Sequence, residues 1–215
     1  MASGDVATEL TRHLIVPVVV LDNPDAAAPL ARALQAGGLP VAEITLRTPA
    51  GLSAIRQIAS TPGLLVGAGS VLSVEQVDAA AAAGARFAVS PGLSRSVVER
   101  CREVGMVALP GAVTATEVQV ALELGLDTLK FFPASIAGGP AAIKALGGPF
   151  GQVKFVPTGG IGPANLGAYL ALPNVAAVGG SWMVPRDAIR DGDWGRITEL
   201  TADAVAAAQA AGKDN

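Results

Sequence analysis

The chain has 215 residues, 51% of them hydrophobic and 15% charged, with a formal charge of -3. That length supports one large domain or two small ones with a substantial core, and that composition excludes a disordered chain. With no basic cluster in the sequence, there is no electrostatic footprint for nucleic acid.

The opening segment MASGDVATELTRH carries acids and has no long apolar stretch, so it is not expected to be a signal peptide. Short apolar, β-branched runs then alternate with alanine-rich stretches. The runs predict strands at HLIVPVVV (13–20), VAEITLR (41–47), LLVGAG (64–69), RFAVSP (86–91), MVALPG (106–111), DTLKFFP (127–133), VKFVPTG (153–159) and VAAVGG (175–180). Asn23-Pro24, Thr48-Pro49 and, more weakly, Gly162-Pro163 place a cap before a first-turn proline. Ser73 to Gln76 and Thr114 to Glu117 match the capping box. Gly37-Gly38, Gly84, Gly105 and Gly125 mark helix ends. Cys101, the single cysteine, falls in a helical stretch and excludes an internal disulfide. It reads as a small packed residue. One cysteine and one histidine, His13, cannot make an ordinary zinc site. No metal and no cofactor is expected. No run reaches the roughly 18 apolar residues of a membrane span, so the expected location is the cytoplasm.

Eight strands and eight helices in strict alternation predict an all-parallel α/β sheet. Closure into a (β/α)8 TIM barrel follows best from the count of eight. An open doubly wound sheet is the competing arrangement, but no G-x-G-x-x-G follows the first strand. The expectation is one barrel domain over residues 1–215, with flexible ends at 1–8 and 210–215. In such a barrel side chains alternate between lumen and helix layer, and active groups gather at the C-terminal ends of the strands.

Strand 41–47 carries Glu43, Thr45 and Arg47 on one face and Ala42, Ile44 and Leu46 on the other. The aliphatic face suits the helix layer, so the polar face points into the lumen. A Glu–Arg pair bracing the barrel is the plainer explanation, but buried pairs stabilise poorly. On strand 127–133, Leu129 and Phe131 alternate with Thr128, Lys130 and Phe132, which places Lys130 in the same lumen. Burial disfavours an ammonium ion, and a neutral amine is what attack on a carbonyl requires. Among the other three lysines, Lys144 lies on a helix, Lys213 in the tail, and Lys154 at the N-terminal end of its strand. Thr158-Gly159-Gly160-Ile161 and Gly179-Gly180-Ser181 end the last two strands, where bare amides and a hydroxyl favour a phosphorylated ligand. A lysine nucleophile, a carboxylate, an arginine and a phosphate nest together suit a class I aldolase or a related Schiff-base lyase.

These motifs resemble the 2-keto-3-deoxy-6-phosphogluconate (KDPG) aldolase and 4-hydroxy-2-oxoglutarate (KHG) aldolase family. The likeness runs through VPVVV, EITLRT, VGAGSVL, FAVSPGL, LPG, LKFFPAS, FVPTGGI and GGSWMVP. It implies Lys130 as the Schiff-base lysine and Glu43 as the general acid/base. Arg47 is implied to hold the pyruvate-end carboxylate, with help from Ser70 and Pro91. Thr158 is implied to contact substrate hydroxyls, Phe132 to pack beside the lysine, and Gly159, Gly160, Gly180 and Ser181 to hold the phosphate. Ser70 departs from the family pattern, which has threonine there, and keeps the hydroxyl. The resemblance also implies a homotrimer and a small-molecule substrate, a phosphorylated 2-keto-3-deoxy sugar acid or pyruvate, with no nucleic acid or membrane partner. Three other readings stand beside it: the aldolase for the 6-phosphogalactonate epimer, a sugar-phosphate isomerase using Glu43 without a covalent step, and a non-catalytic phosphosugar-binding barrel.

Overall fold

The computed structural model describes residues 3–212. Each of the eight apolar runs contains a strand: β1 (Ile15–Val19), β2 (Val41–Thr45), β3 (Leu65–Gly69), β4 (Phe87–Val89), β5 (Val107–Leu109), β6 (Thr128–Phe131), β7 (Lys154–Pro157) and β8 (Val178–Gly180). Every strand pairing is parallel, and β1, β2 and β3 are buried along their whole length. A parallel sheet covered on both faces selects such continuous apolar runs. Six strands form one ladder in the order β5-β4-β3-β2-β1-β8, and β6 pairs with β7 in a second. Single bridges, Gly111 to Lys130 and Thr158 to Gly179, link the ladders at either end of the curled sheet.

Helices cover the outside: α1 (Ser3–Arg12), α2 (Ala27–Ala36), α3 (Gly51–Ile58), α4 (Val74–Ala82), α5 (Arg95–Glu103), α6 (Ala115–Glu123), α7 (Gly139–Gly147), α8 (Leu166–Leu170), α9 (Arg186–Asp191) and α10 (Trp194–Gly212). Among the described residues that is two more than strict alternation predicts. One extra is α1, which seats Val6 and Leu10 in the core where a flexible end is expected. Of the two ends expected to be flexible, residues 1–2 and 213–215 lie outside the described residues. The period of two holds inside the sheet. Phe131 and Phe155 point to the helix layer and meet edge to face, with centroids 5.9 Å apart.

Local signals hold unevenly. Thr114 and Glu117 form the complete capping box. Ser73 caps Gln76 N, but the Gln76 side chain accepts from Leu72 N and leaves the box half made. Thr48 does not cap α3, which starts at Gly51; its hydroxyl donates to the Leu21 carbonyl and ties the end of β2 to the end of β1. Cys101 is fully buried in α5, and burial pushes its thiol pKa up to about 11, so it stays protonated and unreactive at neutral pH.

Candidate active site

Glu43 sits in the middle of β2 with Ile44 on its helix-facing side, so the pleat turns its carboxylate inward. Lys130 takes the matching place on β6 between Leu129 and Phe131. The two side chains are 3% and 4% exposed, and Lys130 Nζ stands 3.7 Å from Glu43 Oε1. That is a close ionic approach but too long for a hydrogen bond, and Glu43 Oε1 has no hydrogen-bond partner. A buried ion pair repays its desolvation only when good hydrogen bonds complete it. This pair lacks them, so it is a poor brace and suits a site that leaves room for a reacting group.

The lysine is held on one side by the Phe132 ring, whose centroid lies 5.0 Å from Nζ. Two residues above Glu43, the Thr45 hydroxyl is buried and also without a partner. Another step along, Arg47 emerges at the end of β2, and its Nε donates to Ser70 Oγ at 2.9 Å. Ser70 adopts φ 57° just beyond β3, a left-handed conformation that turns the chain at the strand end.

Above the pair lies a cleft of about 130 Å³, lined by Arg47, Phe132, Thr158, Gly159, Gly160 and Ser181 among others. Val18, Ile161, Gly179 and Gly180 complete its wall. Gly159 and Gly160 have φ of 101° and 75°, a pair of left-handed residues that only glycine adopts without strain. Asn165 fixes this turn from behind: its Oδ1 accepts from Gly162 N and its Nδ2 donates to Gly160 O, each at 2.9 Å. Ser135 packs on the other side, its backbone N donating to Gly159 O at 3.1 Å.

The structure thus gathers Lys130, Glu43, Arg47, Ser70, Phe132, Thr158, Gly159, Gly160, Gly180 and Ser181 at the C-terminal ends of the strands. Pro91 lies at the same end of the sheet, two residues after β4. It is exposed after β4 and stands against Gly111, where a Cβ would come within 2.5 Å of the Pro91 carbonyl carbon. Asn165 is a residue the motifs did not single out, although an asparagine just after a glycine-rich turn is itself a signal for loop bracing. Larger cavities exist, including one of about 330 Å³ at the N-terminal ends of β5 and β6, but no lysine lines it. Among the described residues no three metal-ligating side chains come together. No described helix is long and apolar enough to cross a membrane.

Comparison with known proteins agrees along the chain. The model of the aldolase family described as KDPG and KHG aldolase matches residues 6–200. The KHG/KDPG aldolase of Escherichia coli K12 is 47% identical over 201 residues, which span 93% of this chain and 94% of that protein. The crystal structure of KDPG aldolase from Legionella pneumophila, with pyruvate captured as a covalent carbinolamine, matches with a TM-score of 0.89. It is 44% identical and covers 92% of this chain and 97% of that one. The Zymomonas mobilis KDPG aldolase with 3-phosphoglycerate also matches at 0.89, with 42% identity over 95% of this chain and 97% of that one. A family match over most of the chain, and relatives sharing nearly half its residues over more than nine tenths of both chains, establish that this protein belongs to the KDPG and KHG aldolase family.

Proposed function

We propose that this protein is a class I aldolase that cleaves KDPG to pyruvate and glyceraldehyde 3-phosphate, the step that yields these products in the Entner–Doudoroff pathway, and that it also acts on 4-hydroxy-2-oxoglutarate. The observation that carries the proposal is the buried lysine facing an unsatisfied carboxylate oxygen 3.7 Å away. Neutral Lys130 attacks the C2 ketone, and loss of water gives an iminium. Glu43, through a water molecule, takes the C4 hydroxyl proton. The C3–C4 bond breaks, and its electrons pass into the iminium to give an enamine. The aldehyde leaves, C3 takes a proton, and hydrolysis releases pyruvate and regenerates the amine.

In this reading Arg47 and Ser70, already joined by a hydrogen bond, hold the carboxylate of the pyruvate half. Thr158 contacts the sugar hydroxyls, and the amides of Gly159, Gly160 and Gly180 with the Ser181 hydroxyl hold the phosphate. Their shared cleft supports these roles. Pro91 contributes from the rim. The 3-phosphoglycerate present with the Zymomonas mobilis relative supports a phosphorylated three-carbon product for this chain.

The test is incubation with pyruvate and borohydride, followed by mass spectrometry and peptide mapping. One pyruvyl adduct on Lys130 is the expected result. An adduct on Lys154 keeps the reaction class and overturns this geometry, and a folded protein that traps nothing at saturating pyruvate overturns the covalent mechanism. Turnover of the gluconate and galactonate epimers side by side then identifies the preferred substrate.

The eight strands, in this reading, close into a (β/α)8 barrel forming a single domain. Support comes from Lys130 N donating to Pro110 O at 2.9 Å and Ala176 N to Phe155 O at 2.9 Å, across both gaps between the ladders. A crystal structure in which either gap stands open would overturn it. The assembly is a cytoplasmic homotrimer. A 33% identical chain within a cage designed by fusing symmetric oligomeric domains supports self-association. Sedimentation at the mass of a single chain would contradict it.

A further inference from the structure

We propose that Gly69 is a positioning residue: the space left by its missing side chain is the seat of the Glu43 carboxylate. This rests on the assignment of Glu43 as the acid/base. Gly69 ends β3 and stands opposite Thr45 in the β2–β3 ladder, while Gly67 stands opposite Glu43. A Cβ on Gly69 would lie 2.6 Å from Glu43 Cγ and 2.8 Å from Cδ, and closer still to Oε1. Carbon atoms do not approach so closely without one of them moving.

Which one moves decides the outcome. The Gly69 backbone is fixed by its ladder, and its carbonyl accepts from Leu46 N at 2.8 Å. It is not among the left-handed glycines, so an alanine brings no backbone strain. What yields is the far end of the Glu43 side chain, which has free torsions and no hydrogen bond on Oε1 to resist. The fold therefore accepts alanine while the carboxylate leaves its place beside Lys130. Gly67 makes the contrast. A Cβ there would reach within 2.5 Å of Cγ in the Phe87 ring, which is fully buried and has nowhere to go. Two glycines on one strand face thus have different consequences: Gly67 protects the core, and Gly69 sets the acid/base.

The experiment compares native protein, Gly69→Ala, Gly67→Ala, Glu43→Gln and the Gly69→Ala/Glu43→Gln double variant. Three quantities are read: melting temperature, the end point of pyruvate trapping on the lysine, and the rate of deuterium exchange into the pyruvate methyl group. Exchange requires proton transfer to and from the enamine, whereas the trapping end point requires only the amine. For Gly69→Ala the expected result is a near-native melting temperature and trapping end point, with exchange and KDPG turnover slowed on the order of 10²-fold, the cost of a misplacement of about 1 Å. The fall is expected in kcat, with KM little changed. In the Glu43→Gln background the same alanine is expected to add almost nothing, since the group it displaces no longer works. Gly67→Ala is expected to melt earlier. Native exchange in Gly69→Ala overturns the proposal. So does a loss that multiplies fully with Glu43→Gln, and so does failure of Gly69→Ala to fold, because the argument requires Glu43 to give way. If native protein neither traps nor exchanges pyruvate, the assignment of the site fails, and the proposal falls with it.

Discussion

Lys130→Ala is expected to turn over no substrate, with a loss on the order of 10⁴-fold or more, and to give no borohydride-trapped adduct. The severity follows from how few amines can substitute. Lys144 is exposed on α7, and Lys154 is exposed at the N-terminal end of β7, where its Nζ donates to Pro173 O at 2.6 Å. Lys213 lies outside the described residues. No other described lysine reaches the lumen, so no rescue by a neighbour is expected. Alanine also removes a long stem from a packed interior, and the cavity it leaves costs stability. Lys130→Met separates the two effects, because it keeps most of the stem beside Phe132 and deletes only the amine. Steady-state assays of both variants, with circular dichroism to show that they fold, check the prediction. Near-native turnover in either one would mean that Lys130 does not carry the chemistry.

Why so much of this site was legible in the sequence, and where legibility stopped, has a physical basis. A strand's side-chain period is two whatever surrounds it, so EIT and LKF alone tell which side chains share a face. The buried sheet explains why the helix-facing members are aliphatic or aromatic, and a charged residue in that setting is conspicuous. Register is different. Whether Glu43 meets Gly67, Gly69 or neither depends on pairing between strands, which no local pattern states. The role of Gly69 is the absence of an atom and becomes visible only once the ladder is known. For Asn165 the partners are close in sequence, yet its two hydrogen bonds depend on the left-handed turn at Gly159 and Gly160. Helix α1 went unanticipated for another reason. Val6 and Leu10 have helical spacing, but the acids and hydroxyls around them hide so short a stripe. Thr48 shows the opposite error, where a sequence that reads as a cap spends its hydroxyl on a neighbouring strand end.

Glu43→Gln is the second large effect, and it divides the reaction rather than stopping it. Glutamine keeps the shape of the side chain and its place against Gly69, and it loses the capacity to take and return a proton. Turnover is expected to fall about 10² to 10⁴-fold, the usual worth of a positioned acid/base. Trapping of pyruvate on Lys130 at saturation is expected to persist, because the amine is untouched. Deuterium exchange into the pyruvate methyl group is expected to fall in step with turnover. Removing one partner of a buried ion pair leaves the other without its counter-charge, so the variant is expected to melt earlier than the native protein. A variant that still folds and traps pyruvate, yet is deficient in every proton transfer, is the expected combination. Equal losses of trapping and exchange would instead place Glu43 in the formation of the covalent bond itself, and unchanged turnover would remove it from the mechanism.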